Sequence, residues 1–168
     1  MKYKLVKQYI KDKIVLDLGS LDHGKHTKMF NFITKHSKLC MGIDILSSNR
    51  KMIFKENAET MELVNKFDVI TAMDFIEHIK NQDKLIENLK HHLKPQGILI
   101  VGTPNPYSLM ETVAYFLGKQ KVNKQHYFWH TEETMQNILR ENGMEIIEKK
   151  YYGKFKLNYF FVIRRIEK

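Results

Sequence analysis

The sequence predicts an α/β fold: a mostly parallel β-sheet with helices on both faces. Three observations carry that expectation. Short apolar runs of strand length recur along the chain, stretches with helical apolar spacing separate them, and turn residues fall between the two. With 168 residues, 43% of them hydrophobic, the chain can enclose one core, so a single domain over residues 1–168 is expected.

Ile14-Val15-Leu16-Asp17-Leu18 is a buried-strand run ending at Gly19. Met29, Phe30 and Ile33 then share one face of a helix. Leu39 to Ile43 is the second strand, closed by Asp44, and Phe67 to Ala72 is another. Leu85, Ile86, Leu89 and Leu93 have the spacing of a helix face, and His91-His92 falls on its polar, solvated side. Pro95 and Gly97 mark the turn into a strand over Ile98-Leu99-Ile100-Val101. Ser108 to Leu117 reads as an amphipathic helix stopped by Gly118. Thr131 is placed to cap a helix that buries Met135, Ile138 and Leu139 and ends at Gly143. Ile146-Ile147 and Tyr159 to Ile163 complete the pattern as two strands joined around Gly153.

Composition removes several function classes. Cys40 is the only cysteine, which excludes a disulfide framework. No apolar run has the length of a membrane span, and Met1-Lys2-Tyr3-Lys4 leads into nothing like a signal peptide, so the expected compartment is the cytoplasm. The formal charge of +9 suggests an anionic partner, but 24 of the 28 basic residues are Lys and only 4 are Arg. Arg is the residue favoured for reading phosphates and base edges, so nucleic acid is not the favoured partner.

In an open parallel sheet, ligands sit beyond the carboxyl ends of the strands. The loop Gly19-Ser20-Leu21-Asp22-His23-Gly24, Asp44 and the segment after Ala72 all gather there. A glycine after the first strand admits close backbone approach, and a carboxylate ending the second can accept both protons of a ribose diol. The loop lacks the middle glycine of a dinucleotide fingerprint. It also carries His26 where a phosphate-binding P-loop needs Ser or Thr after Lys25.

A third pattern fits better. Val15-Leu16-Asp17-Leu18-Gly19-Ser20, Gly42-Ile43-Asp44, Asn57-Ala58-Glu59 and Phe67 to His78 stand in an order and spacing that resemble class I S-adenosylmethionine-dependent methyltransferases. The likeness is to the small-molecule type (methyltransferase type 11/12-like). Leu93 to Gly97, Thr103-Pro104-Asn105-Pro106 and His126 to Gly143 extend it over most of the chain. The resemblance implies a Rossmann-like seven-stranded sheet of order 3-2-1-4-5-7-6 with the last strand antiparallel. It implies S-adenosylmethionine as cofactor, S-adenosylhomocysteine as product, and methyl transfer to oxygen or nitrogen of a small-molecule acceptor. By the same resemblance, Gly19 passes the methionine end of the cofactor, Asp17 braces that loop, and Asp44 holds the ribose. Asn57 and Ala58 face the adenine, Ala72, Met73 and Asp74 line the cofactor, and Ser20 and Ile45 belong to the same set.

Glu77, His78 and His126 are the candidate catalytic residues, imidazole being the side chain that titrates near neutral pH. Phe75, Asn105, Tyr107, His126, Trp129 and His130 are the candidate acceptor-pocket residues. His126 and His130 have the i, i+4 spacing of a metal pair but no third ligand in sequence, so no metal is expected. Lys119, Lys121 and Lys124 beside the pocket suggest an acidic acceptor or an anionic surface carrying it. The loop lacks the family's second and third glycines, and only 12 residues separate Asp44 from Asn57, which shortens the intervening helix to about a turn. Two further readings therefore stay open: a non-catalytic cofactor-binding module of this fold, and an RNA methyltransferase.

Overall fold

Val15 and Leu16 are adjacent in sequence and both fully buried, because they point into different layers of the molecule. The structure is a computed structural model that describes residues 1–21, 27–120 and 123–167. Its strands are β1 (Ile14–Leu18), β2 (Leu39–Asp44), β3 (Ile53–Lys55), β4 (Phe67–Met73), β5 (Leu93–Pro104), β6 (Met144–Tyr152) and β7 (Asn158–Arg165). They form one sheet of order β3-β2-β1-β4-β5-β7-β6. Only β7 runs against the others, wedged between β5 and β6 and antiparallel to both. This is the topology that the resemblance implies.

Side chains alternate across the sheet with period two. Val15, Val69, Ile100, Phe160 and Val162 enter one layer with Val6, Ile10, Phe30 and Ile33, which come from α1 (Lys2–Ile10) and α2 (Lys28–His36). Leu16, Ile70, Leu99, Phe161 and Ile163 enter the other. There they meet Leu85, Ile86 and Leu89 of α3 (Gln82–His92), and Met135 and Leu139 of α5 (Glu132–Glu141). In sequence order α4 (Leu109–Phe116) stands between α3 and α5. Thr131 caps α5 as expected, its hydroxyl accepting from the Thr134 backbone N–H at 3.2 Å. Gly118 and Gly143 end α4 and α5 in the left-handed region, where glycine has no Cβ to strain.

Four expectations are corrected. The helix anticipated between Asp44 and Asn57 does not form even one turn: bends and a turn lead from β2 into β3. Leu93 does not continue the α3 face but starts β5 opposite Phe67, with Pro95 and Gly97 in an irregular stretch before the regular register resumes at Ile98. His92 is buried rather than solvated, because its Nε2 accepts from the Leu63 N–H at 3.0 Å and its Nδ1 donates to the Asn88 carbonyl at 2.8 Å. Burial lowers its pKa. Finally, α4 is not amphipathic in its setting: none of its residues is buried. The α1 helix was not anticipated at all.

Candidate active site

The carboxyl ends of β1, β2 and β4 converge on one rim. Asp17, one residue before the end of β1, is fully buried and held from two sides. Thr71 Oγ1 of β4 donates to its Oδ1 at 2.7 Å, and Ser20 Oγ donates to its Oδ2 at 3.2 Å. Burial pushes its pKa up to about 7, against the pull of those two hydroxyls. Ser20 also donates its backbone N–H to the Ile43 carbonyl at 3.2 Å, tying the β1 loop to β2. Gly19 is at φ +66°, and a Cβ there would come within 2.9 Å of the Phe75 ring. Both facts require glycine at this position. Asp22, His23 and Gly24 of the loop, with Lys25 and His26, lie outside the described residues.

Asp44 is half-buried at the end of β2 and accepts from the Leu21 N–H and the Leu46 N–H, each at 3.0 Å. A carboxylate has about four acceptor positions, so two remain for a vicinal diol. Ile45 beside it is exposed. Ala58 is buried, and its carbonyl accepts from Asn88 Nδ2 at 3.0 Å. Asn57 is exposed, and its amide oxygen already accepts from the Glu59 N–H at 2.9 Å. Ala72 is buried and Met73 half-buried at the end of β4. Asp74 follows in a left-handed conformation, φ +54°, and that backbone is held in place. Its N–H donates to the Gly102 carbonyl at 2.7 Å, Tyr152 OH donates to Oδ1 at 2.7 Å, and Lys2 Nζ pairs with Oδ2 at 2.9 Å. Neither Tyr152 nor Lys2 could be found from sequence, since they lie 78 and 72 residues away.

The 3₁₀ turn Ile76–His78 comes next and carries the catalytic candidates. Glu77 is 1% exposed and accepts from Thr103 Oγ1 of β5 at 3.1 Å; burial pushes its pKa up to about 7. His78 Nδ1 lies 3.1 Å from the Gln125 carbonyl, to which it donates its N–H. Tyr127 N–H donates to the Glu77 carbonyl at 2.8 Å, so the segment around His126 is strapped to this turn. The His126 and His78 rings meet edge to face at 4.7 Å. Burial and the His78 charge together keep the His126 pKa below its ordinary value.

His130 does not pair with His126. It is buried and its Nε2 takes the amide of Gln82 at 2.8 Å, while the same amide reaches the Ile76 carbonyl at 3.2 Å. Burial pulls its pKa down to about 4, so it stays neutral and, through Gln82, braces the Ile76–His78 turn. The donors that do converge are Glu77, His78 and His126, each with one ligand atom within 4.8 Å of the others. That set can relay a proton or hold a divalent cation. His126 Nδ1 and Trp129 Nε1 are buried with no hydrogen-bond partner among the described residues, which suits a pocket whose ligand supplies the missing groups. Asn105 is turned inward: its side chain donates to the Lys156 carbonyl and accepts from the Tyr107 N–H, both at 2.9 Å. Tyr107 is exposed and Phe75 half-buried against the β1 loop.

Residues 4–149 match the profile of a family described as methyltransferase domain. The chain belongs to that family. Among its curated relatives, the ubiquinone biosynthesis O-methyltransferase of Rickettsia canadensis (strain McKiel) is 37% identical over 91 residues. That alignment covers 50% of this chain and 38% of the relative. The protein of the same name from Coxiella burnetii (strain Dugway 5J108-111) is 27% identical over 122 residues, 62% of this chain and 50% of the relative. The methyltransferase-domain chain thus spans half or less of the length of these relatives. In fold it is similar to an S-adenosylmethionine-dependent methyltransferase from Clostridium acetobutylicum ATCC 824. The TM-score is 0.70 at 14% identity, covering 98% of this chain and 88% of that one. Magnesium protoporphyrin IX methyltransferase from Synechocystis PCC 6803 also gives 0.70, at 17% identity, covering 98% and 79%.

The buried carboxyls make a pH prediction for this methyltransferase domain. Glu77 has a folded pKa near 7, above its ordinary 4.5, so the protonated form favours folding. That contribution is complete below pH 4.5 and is lost as pH rises through 7. The melting temperature of Glu77→Gln, measured against the unmodified chain, is therefore expected to improve steadily between those values. A difference that does not change with pH would contradict the assignment.

Proposed function

We propose that this chain transfers the methyl group of S-adenosylmethionine to an oxygen or nitrogen of a small-molecule acceptor, leaving S-adenosylhomocysteine. The observation that carries the reading is the rim itself. Gly19 in its left-handed conformation directly follows β1, the Asp44 carboxylate closes the adjacent β2, and the buried Ala58 comes three residues after β3, an order that suits a nucleoside with an attached amino-acid tail. The bound cofactor supplies a methyl group already activated on a sulfonium. Asp44 holds the ribose hydroxyls, Ala58 borders the adenine, and Asp17 keeps the β1 loop in register. Asp74, Glu77, His78 and His126 face the acceptor. His126, kept neutral by burial, takes the proton that the acceptor's O–H or N–H gives up as its new bond to carbon forms. Glu77 lies close enough to favour the resulting imidazolium.

Among the relatives, ubiquinone biosynthesis O-methyltransferases favour oxygen. A structural neighbour, a 1,6-didemethyltoxoflavin N1-methyltransferase from Burkholderia thailandensis, supports the nitrogen option at the level of fold.

The test is a binding panel of S-adenosylhomocysteine, NAD and Mg-ATP. At 100 times its dissociation constant a ligand adds about 2.7 kcal/mol, which for a domain of this size raises the melting temperature by roughly 5–11 °C. That rise is expected with S-adenosylhomocysteine alone; tight Mg-ATP binding without it would overturn the reading. Turnover with candidate acceptors, assayed with and without added Mg²⁺, then separates an active enzyme from a cofactor-binding module. It also distinguishes the two uses open to the Glu77–His78–His126 set.

A further inference from the structure

We propose that α4, with the adjoining 3₁₀ turn Lys154–Lys156, docks this domain on the surface of an anionic lipid bilayer. The inference does not depend on the catalytic reading. An eight-residue helix, LMETVAYF, stands on the protein with no residue buried. Tyr115, Phe116 and Leu117 are 67%, 80% and 61% exposed, and Leu109 and Val113, at i, i+4, i+7 spacing with Phe116, are exposed on the same helix face as that ring. Phe155, 62% exposed at φ +53°, extends the same patch from the turn. Contiguous exposed apolar surface of this kind marks an interaction site.

The patch is built to stay exposed. Ser108 caps α4 by accepting from the Glu111 N–H at 3.3 Å. Asn105 ties the approach to the turn, its side chain donating to the Lys156 carbonyl and its N–H to the Leu157 carbonyl, both at 2.9 Å. The helix is thus anchored at its start by hydrogen bonds, and its apolar residues are left facing outward.

Charge decides what covers it. Lys119, Lys124, Lys154 and Lys156 are exposed around the apolar centre. Between residues 105 and 131 the sole acidic residue is Glu111, residues 153–157 hold none, and neither stretch contains Arg. Lysine rims are depleted at protein–protein interfaces, whereas apolar side chains ringed by lysine suit a layer of anionic headgroups. Tyr107, Tyr115 and Tyr127 add rings with a polar tip, the type of side chain enriched where hydrocarbon meets water. A helix of eight residues is about 12 Å long, against a hydrocarbon layer of about 30 Å. It therefore lies in the surface, and among the described residues no helix is long and apolar enough to cross a membrane. β5 ends at Pro104 and leads directly to this helix, so docking would hold the catalytic rim against the bilayer.

The experiment is vesicle co-sedimentation of the 168-residue chain, with phosphatidylcholine vesicles compared against phosphatidylcholine–phosphatidylglycerol vesicles. Binding is expected to be about tenfold or more stronger to the anionic vesicles and to weaken with salt. Phe116→Asp with Leu117→Asp is expected to abolish it, while Lys119→Glu with Lys124→Glu removes the preference for anionic lipid. Melting temperature and S-adenosylhomocysteine binding of each variant report folding independently. Equal binding to both vesicles, no binding to either, or full binding by the folded Asp variant overturns the proposal. So does a concentration-dependent dimer that the same Asp variant dissolves, which would give the patch to a second copy of the chain.

Discussion

Asp44→Ala is expected to weaken S-adenosylhomocysteine binding by roughly 10²–10⁴-fold, the loss of two charge-assisted hydrogen bonds to a ribose at about 1.5–3 kcal/mol each. Isothermal titration measures it directly. The side chain also accepts from the Leu21 and Leu46 N–H groups, one on each side of the rim, so the unliganded variant should melt several degrees lower. Asp44→Asn separates the two roles. It keeps one acceptor oxygen, enough for one of the two loop N–H groups, but lacks the charge, and should recover part of the melting temperature while binding ligand poorly. Wild-type affinity in Asp44→Ala would remove the ribose from this carboxylate and the cofactor site from this rim.

His126→Ala is expected to cut turnover by about 10²–10⁴-fold, the range of a general base, with ligand affinity little changed. The pH profile carries the finer test. Because burial and His78 hold the His126 pKa below its ordinary 6.5, the neutral base predominates at pH 7 and the rate should fall only on the acid side. His78→Ala removes one of the two causes, so that acid limb should move to higher pH. An acid limb that stays where it was in His78→Ala, or normal turnover in His126→Ala, would exclude this imidazole as the base.

The parts of the fold that were legible in the sequence are those whose signal is local. β1, β2 and β4 are buried on both faces and so read as unbroken apolar runs; Thr131 and Gly143 bracket α5 by their capping chemistry. The order of the strands came from motif resemblance, because pairing between distant strands leaves no periodicity. What escaped was set by tertiary contact. α1 has the spacing Leu5, Val6, Tyr9, Ile10, but three lysines in nine residues mask it, and its helix depends on packing Val6 and Ile10 against β1 and β4. β3 is three residues long with one buried, too short for any pattern. His92 lies on a helix face that is polar by composition yet is buried under the Leu63 segment. In the candidate site, Asp44 was legible as a carboxylate closing a strand, and Asp17 and Glu77 through the motif resemblance. Thr71 and Thr103 (the partners of Asp17 and Glu77), Gln82 (the partner of His130) and the two residues that grip Asp74 were not, since each arrives from a different element.

The position of β7 also dictates when the molecule can be finished. β6 touches the rest of the sheet only through β7, which follows it in the chain and slides in between β6 and β5. On a translating ribosome, β6 therefore emerges with no strand to pair with, and the right-hand side of the sheet stays open until residues 158–165 have been made. Phe160, Phe161 and Ile163, all fully buried in the end, fill both core layers at that last step. Closure of this sheet thus waits for the strand that follows β6 in the chain and is not built up in sequence order.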